Sequence, residues 1–130
     1  MKKGGILVAL VVGSVLGVSS LALAAGGLDG KAFSGEIGQQ GKTDSQPDTF
    51  VFKDGAFEST LCTSFGYGKG AYRTESKGDA VEFTAKTVST DGGTMQWKGA
   101  VKGDQVEGTV VSTEKGQAST SWFKGALKKS

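Results

Sequence analysis

Beyond residue 32 the chain alternates apolar and polar residues and is interrupted by glycine-containing turns roughly every ten residues. Alternation with a period of two is typical of a strand that buries one face, and turns at this spacing favour a meander of hairpins. Around Phe83, for example, Val81 and Ala85 share one face, whereas Glu82 and Thr84 share the other. The turn signals are Asp54-Gly55, Lys77-Gly78-Asp79, Asp91-Gly92-Gly93, Lys102-Gly103-Asp104 and Glu114-Lys115-Gly116.

This pattern predicts eight strands, each with one inward face. The inward residues are predicted to be Phe33, Gly35 and Ile37; Phe50 and Phe52; Phe57 and Ser59; Tyr72 and Thr74; Val81, Phe83 and Ala85; Met95, Trp97, Gly99 and Val101; Val106, Gly108 and Val110; and Phe123, Gly125 and Leu127. Short antiparallel strands with polar outer faces can close on themselves, which removes exposed edges. We therefore predict an all-β fold, an eight-stranded antiparallel up-and-down meander barrel. A two-sheet sandwich is left open.

An aromatic-x-Gly-x-aliphatic unit recurs in three of these strands. Its copies are Phe33-Ser34-Gly35-Glu36-Ile37, Trp97-Lys98-Gly99-Ala100-Val101 and Phe123-Lys124-Gly125-Ala126-Leu127. A glycine inside a strand weakens it and needs a reason. Inward glycines let strands bend and leave room for an aromatic ring from across a narrow barrel, so we interpret them as barrel geometry.

Two segments break the meander. The polar stretch Gly38–Asp48 contains the only proline, Pro47, and is predicted to be a loop. The stretch Leu61–Gly70 combines a thiol, two aromatic residues and three glycines. We expect this second segment to lie at the mouth of the barrel, with Phe65 and Tyr67 as an aromatic lid.

The N-terminus has the order of a secretory signal peptide. Lys2 and Lys3 precede an apolar run over residues 6–23, and small residues follow it. A retained membrane anchor is the alternative, but the glycines and serines within the run favour cleavage, which we place after Ala24. The prediction is thus a signal-peptide helix over residues 1–24 and a single barrel domain over 25–130, located in the periplasm or secreted. No stable membrane insertion is expected after cleavage.

Charge and residue types narrow the possible functions. The two lysines in the signal account for the whole net charge of +2, so the remainder is formally neutral and lacks the basic stripe of a nucleic-acid binder. The sequence contains no histidine, which removes the usual general base and the commonest metal ligand. We therefore predict a protein that is not an enzyme and has no metal or cofactor. Cys62 is the sole cysteine, so it is free, buried, or paired between chains.

Several segments of the chain resemble a known group of proteins. The resemblance rests on the stretch from Asp48 to Phe57, on Cys62 with Phe65-Gly66-Tyr67-Gly68, and on Gly78–Phe83 and Met95–Gly99. In these segments the chain resembles small exported bacterial proteins with an architecture similar to the calycin group of lipocalins, fatty-acid-binding proteins and avidins. The lipocalin Gly-x-Trp signature and an avidin biotin-site motif are both missing. The resemblance implies a barrel that accepts a small apolar ligand and carries over no site residues.

Two functions compete at this point. The first, which the sequence favours, is a binding module for a small hydrophobic or aromatic ligand, with candidate contact residues Phe50, Phe52, Phe57, Cys62, Phe65, Tyr67, Phe83 and Trp97. The second is a protein-interaction module, such as an inhibitor or accessory factor of an envelope enzyme, that binds through its loops. An apolar cavity would favour the ligand, whereas a filled core with a protruding aromatic loop would favour the partner.

Overall fold

The computed structural model describes residues 27–128. The predicted signal peptide, with its helix and its cleavage point after Ala24, lies outside them. Within them the chain forms eight strands and one short helix. The elements are β1 (Ala32–Gln39), β2 (Gln46–Lys53), β3 (Ala56–Ser59), α1 (Thr60–Thr63), β4 (Gly70–Lys77), β5 (Ala80–Val88), β6 (Thr94–Lys102), β7 (Gln105–Glu114) and β8 (Gln117–Leu127).

The strands close into a barrel. Each strand pairs antiparallel with its neighbour in sequence, and β8 pairs with β1. The closing seam runs from Phe33 opposite Leu127 to Gln39 opposite Ser121. The predicted all-β, eight-stranded antiparallel meander barrel is therefore confirmed, and the sandwich alternative is wrong. Closure gives the first and last strands a hydrogen-bonded partner on both sides.

Aromatic side chains fill most of the interior. The largest fully buried residues are Trp97, Tyr72, Phe33, Phe50, Phe52, Phe57, Phe83 and Phe123. All eight were predicted to face inward from the alternation alone, and Ile37, Met95 and Leu127 pack against them as partly buried residues. Because each buried aromatic contributes roughly 1.5–3 kcal/mol, this cluster is the main apolar contribution to folding.

The inward glycines have two distinct structural reasons. A Cβ atom at Gly99 would lie 2.8 Å from ring atoms of both Phe83 and Phe123, so this glycine makes room for rings, as predicted. A Cβ atom at Gly35 would instead lie 1.8 Å from the carbonyl oxygen of Lys124 on β8. There the missing side chain allows two strands to approach closely at the closing seam.

At one end, called here the lower end, the segment 27–31 covers the interior beside the turns 53–56, 77–80 and 102–105. Leu28 is only 1% exposed and belongs to the core cluster. Its backbone N–H donates to the hydroxyl of Tyr72 at 3.0 Å, and that hydroxyl donates to Asp29 at 2.6 Å. The Asp29 carboxylate also accepts from the backbone N–H of Gly55 at 2.9 Å. Leu28 thus acts as a tethered plug.

The opposite, upper end carries the loop 40–45, the segment 60–69 and the turns 89–93 and 115–116. The predicted loop over Gly38–Asp48 is wrong at both of its ends, because β1 continues to Gln39 and β2 begins at Gln46. Pro47 is the second residue of β2, and near a strand end its missing N–H disturbs the ladder little. The second predicted break, Leu61–Gly70, is confirmed as a non-strand segment that begins in α1.

Candidate functional site

Five of the predicted ligand-contact residues lie in the interior and touch one another. Phe50, Phe52, Phe57, Phe83 and Trp97 are each at most 1% exposed. Ring centroids are 4.9 Å apart for Phe52 and Phe83 and 4.8 Å apart for Phe57 and Trp97. These separations fall within the range of aromatic pairs in contact. The rings therefore pack against each other at the positions proposed for a ligand.

The polar group of the largest ring is satisfied inside the barrel. The indole N–H of Trp97 donates to the hydroxyl of Thr87 at 3.2 Å, and both residues are buried. A buried donor without a partner would carry a penalty of about 1–3 kcal/mol. Trp97 thus needs no ligand to complete its hydrogen bonding.

A short helix begins the cover over the upper end, and a buried carboxylate organises it. Asp48 accepts from the backbone N–H of Leu61 at 2.9 Å and from the hydroxyls of Ser59 and Thr60. The Ser59 hydroxyl oxygen in turn accepts from the backbone N–H of Cys62 at 3.3 Å. These bonds satisfy donors that the first turn of a helix leaves unpaired. Asp48 and Ser59 therefore fix the position of α1.

Cys62 lies on the inner face of α1 and belongs to the core cluster. Burial raises the pKa of its thiol, the hydrogen bond with Ser59 partly offsets this, and the negative charge of Asp48 raises the pKa further. A thiol with a raised pKa carries little thiolate near neutral pH and is a poor nucleophile. In this position Cys62 behaves as a small apolar core residue.

Tyr67 folds inward and ties the cover to the far side of the barrel. It is buried, and its hydroxyl donates to the Glu114 carboxylate at 2.7 Å. Its backbone forms a bridge with Ser89, next to a hydrogen bond from the N–H of Gly68 to the carbonyl of Val88 at 3.1 Å. Burial, together with the hydrogen bond and charge of Glu114, raises the pKa of Tyr67 to about 12.

Phe65 is separated from the other candidates by pointing outward. It is 67% exposed, although Tyr67 lies only two residues away and is buried. Gly66 between them has a φ of +96°, a left-handed conformation that reverses the direction of the chain and is open to glycine. The predicted lid therefore consists of Tyr67, together with Cys62, and Phe65 is not part of it.

An open groove of about 450 Å³ adjoins Phe65 on the outer surface. It runs between the loop 40–45 and α1. Its lining residues are Ile37, Gly38, Gln39, Lys42, Asp44, Ser45, Gln46, Leu61, Phe65 and Ser121. Apolar side chains from β1 and α1 thus meet polar side chains of the loop, which is the composition of a small contact surface with a polar rim.

Two organising residues escaped the sequence analysis. Asp48 has the same strand phase as Phe50 and Phe52, so extending the alternation by one step would have placed it inward. Leu28 follows two glycines and belongs to no strand, so no periodicity marks it as buried. The groove beside Phe65 was also missed, because the chain brings its residues together from four separate segments.

Metal-binding clusters and membrane-spanning helices are both missing from the described residues. Within residues 27–128, no three His, Cys, Asp or Glu side chains come together in a way that could hold a metal ion. No helix in this range is long and apolar enough to span a bilayer.

Comparison with known proteins assigns no family. No family model matches the chain, and no curated protein or solved structure matches it significantly. The closed eight-stranded antiparallel meander is compatible with a calycin-like architecture.

Proposed function

We propose that this chain is an exported, non-catalytic binding module that recognises a partner protein through its upper end. The observation that carries the proposal is the contrast among its phenylalanines. Six of the seven are at most 1% exposed, whereas Phe65 is 67% exposed. Burying a phenylalanine contributes roughly 1.5–3 kcal/mol, so contact with a partner at Phe65 would recover a gain that the isolated fold leaves unused.

The segment that presents Phe65 is held in place before any partner arrives. The backbone N–H of Phe65 donates to the carbonyl of Cys62 at 2.9 Å, and that of Gly66 donates to Thr63 at 3.0 Å. Buried residues anchor the segment on both sides, Cys62 before it and Tyr67 after it. A pre-ordered contact residue loses little conformational entropy on binding, which favours affinity.

The adjoining groove supports recognition of an apolar side chain. Ile37 and Leu61 are partly exposed within it, and Lys42 and Asp44 lie along its edge. An apolar centre surrounded by polar groups is typical of protein contact surfaces, in which the rim excludes water from a few anchoring residues. The partner would insert an apolar side chain between α1 and the loop 40–45.

The predicted export signal supports a partner outside the cytoplasm. An envelope enzyme is the partner class we favour, with this chain as its inhibitor or accessory factor. A rigid barrel that presents one aromatic residue beside a groove suits this role, because both surfaces are fixed before they meet.

A ligand in the barrel interior is the second candidate, and the buried aromatic cluster is the observation that favours it. The cluster would suit a small hydrophobic or aromatic molecule in chemistry. Its rings contact one another at centroid distances of 4.8–6.2 Å, however, so a ligand would have to displace side chains or the cover formed by Cys62 and Tyr67. This cost places the interior ligand second.

Site-directed photo-crosslinking followed by affinity measurement tests the proposal. A crosslinking side chain at position 65 should capture one protein from the source cells, and the same group at position 53, where Lys53 is exposed at the lower end, should not. With the captured protein purified, Phe65→Ala should weaken binding at least tenfold, because the anchoring ring is lost. Val88→Ala shortens another exposed apolar side chain, one that does not line the groove beside Phe65, and should change the affinity less than about twofold.

Equal binding by both variants would contradict the proposal. Native mass spectrometry of the protein purified without denaturation distinguishes the second candidate. A reproducible small-molecule adduct that survives in Phe65→Ala would establish an interior ligand instead.

A further inference from the structure

Three basic side chains lie close together on the outer faces of β4, β5 and β6, on a wall apart from the groove beside Phe65. Arg73 lies opposite Thr84, and Thr84 lies opposite Lys98 on its other side. Lys86 follows two residues later on β5 and shares the outward face. Opposed Cβ atoms are about 5 Å apart, and same-face neighbours along a strand are about 7 Å apart. The three long side chains can therefore converge above Thr84.

These cations stand without carboxylate partners. The ion pair found within residues 27–128 joins Lys102 to Asp79 at 3.7 Å, and it involves none of the three. Like charges on neighbouring strands repel one another. An anion that lies between Arg73, Lys86 and Lys98 would relieve this repulsion and be attracted to all three.

The cluster does not reflect an excess of basic residues. Lys2, Lys3 and Lys129 lie outside residues 27–128, which leaves twelve basic residues in that range against thirteen acidic ones. The described part of the chain is thus slightly acidic. The strand register brings three of these twelve basic residues, Arg73, Lys86 and Lys98, to one wall of the barrel.

A groove of about 520 Å³ runs between these side chains. Besides the three cations, Thr84, Thr109 and Gln96 line it, and all three side chains can donate hydrogen bonds. No carboxylate lines it. A second groove shares Arg73, Thr84 and Lys98 but is also lined by Glu75 and Glu82. The positive potential is therefore strongest on the side nearer Lys86.

We infer that this groove binds a linear polyphosphate, a chain that presents a charged phosphate group at each repeat. Ammonium and guanidinium groups donate charge-assisted hydrogen bonds to phosphate oxygens, and the hydroxyl and amide groups of the groove add neutral donors. Each exposed ion pair contributes little by itself. A chain that presents several anionic groups engages the three cations together and gains by their effective concentration. This surface is distinct from the one in the proposed function and does not depend on it.

The shape of the barrel favours a linear polymer over a membrane surface. The cations lie along a groove on a convex side wall, and a planar bilayer would touch such a wall only along a narrow line. A flexible chain can follow the groove. Binding to vesicles of anionic phospholipid, measured beside binding to polyphosphate, distinguishes the lipid alternative.

Isothermal titration with inorganic polyphosphate, repeated at several salt concentrations, tests the inference. The double variant Lys86→Gln/Lys98→Gln should bind about tenfold more weakly than the parent. The slope of log affinity against log salt concentration should fall by about two, because two phosphate contacts are lost. The matched control is Lys31→Gln/Lys53→Gln, which removes the same charge from exposed positions outside the groove and should change affinity less than about twofold.

A third variant tests whether the neighbouring carboxylate weakens anion binding. Glu82→Gln removes a carboxylate from the neighbouring groove, so we expect it to strengthen polyphosphate binding. Equal losses in the two double variants, or no binding of polyphosphate by the parent at low salt, would overturn the inference. Binding to vesicles of anionic phospholipid without binding to polyphosphate would overturn it in favour of a membrane surface.

Discussion

The two ends of the barrel are closed by the same chemical device and yet present different surfaces. At each end a buried tyrosine donates its hydroxyl to a carboxylate distant in sequence. Tyr72 donates to Asp29 at 2.6 Å at the lower end, and Tyr67 donates to Glu114 at 2.7 Å at the upper end. Each bond ties a covering segment to the strands, so neither opening of the barrel is left uncovered.

The difference lies in where each covering segment puts its apolar side chain. Leu28 enters the core and is 1% exposed, whereas Phe65 leaves it and is 67% exposed. The lower end also has short hairpin turns, such as Asp54-Gly55 with both residues at positive φ, as in a type I′ turn. The lower end therefore stabilises the fold, and the upper end is free to carry a contact surface.

The largest effect is expected in the interior that both ends cover. Phe52 has ring contacts with Phe33, Phe57, Tyr72 and Phe83. Phe52→Ala should lower the free energy of unfolding by about 3–5 kcal/mol, because it leaves a cavity among rings that cannot collapse. Urea denaturation measures this. Should the variant fail to fold, Phe52→Leu should show a smaller loss, and no loss in either would mean that the interior is loosely packed.

The next effect separates the two ends directly. Leu28→Ala should lower the free energy of unfolding by about 2–4 kcal/mol, since it removes the plug of the lower end. Phe65→Ala should change it by less than about 0.5 kcal/mol, because that ring is mostly in water. Thermal unfolding of the two variants side by side is the measurement. Similar losses of stability in both variants would contradict the assigned difference between the two ends.

A smaller loss of stability is expected for a substitution in the barrel wall between the two ends. Gly99→Ala places a methyl group 2.8 Å from ring atoms of Phe83 and Phe123, so it should lower stability by about 1–3 kcal/mol. Gly68→Ala is the matched control, because the nearest atom to its added Cβ is the Val88 carbonyl oxygen at 4.0 Å. Denaturant midpoints that fall equally for both variants would contradict the assigned role of Gly99.

The smallest effect appears only at alkaline pH. Burial raises the pKa of Tyr67 to about 12 and also raises that of Tyr72, from ordinary values of 10.0. A tyrosine with a raised pKa in the folded state stabilises the fold fully below the unfolded value, and this stability is lost as pH rises through the folded value. The free energy of unfolding should therefore decline from about pH 10 upward.

Tyrosinate absorbance of the folded protein provides the check, since these two are the only tyrosines. Both should ionise above the ordinary range. Glu114→Gln keeps a hydrogen-bond acceptor but removes the charge, so it should lower the pKa of Tyr67 and leave that of Tyr72 in place. Ionisation of both near pH 10 in the folded protein would contradict these assignments.

The strands and the glycine turns that join them could be predicted from the sequence, whereas the arrangement of the segments that cover the two ends could not. Alternation placed Phe83, Trp97 and Phe123 inward, because side chains on a strand alternate by local geometry. Phe65 and Tyr67 were expected in one lid because both are aromatic neighbours of Cys62. The left-handed conformation at Gly66 separates their side chains, and no periodicity in the sequence predicts it.

By itself, then, the sequence determined the number of strands, their antiparallel order and the aromatic filling of the interior. These features follow from hydrophobicity and turn residues, which act over a few neighbouring positions. Only the tertiary structure decided that the sheet closes, that Leu28 plugs one end, that Phe65 faces outward, and that Arg73, Lys86 and Lys98 line one groove. Each of these depends on contacts between distant segments, such as Leu28 with Tyr72 across 44 residues and Tyr67 with Glu114 across 47, and no local pattern encodes them.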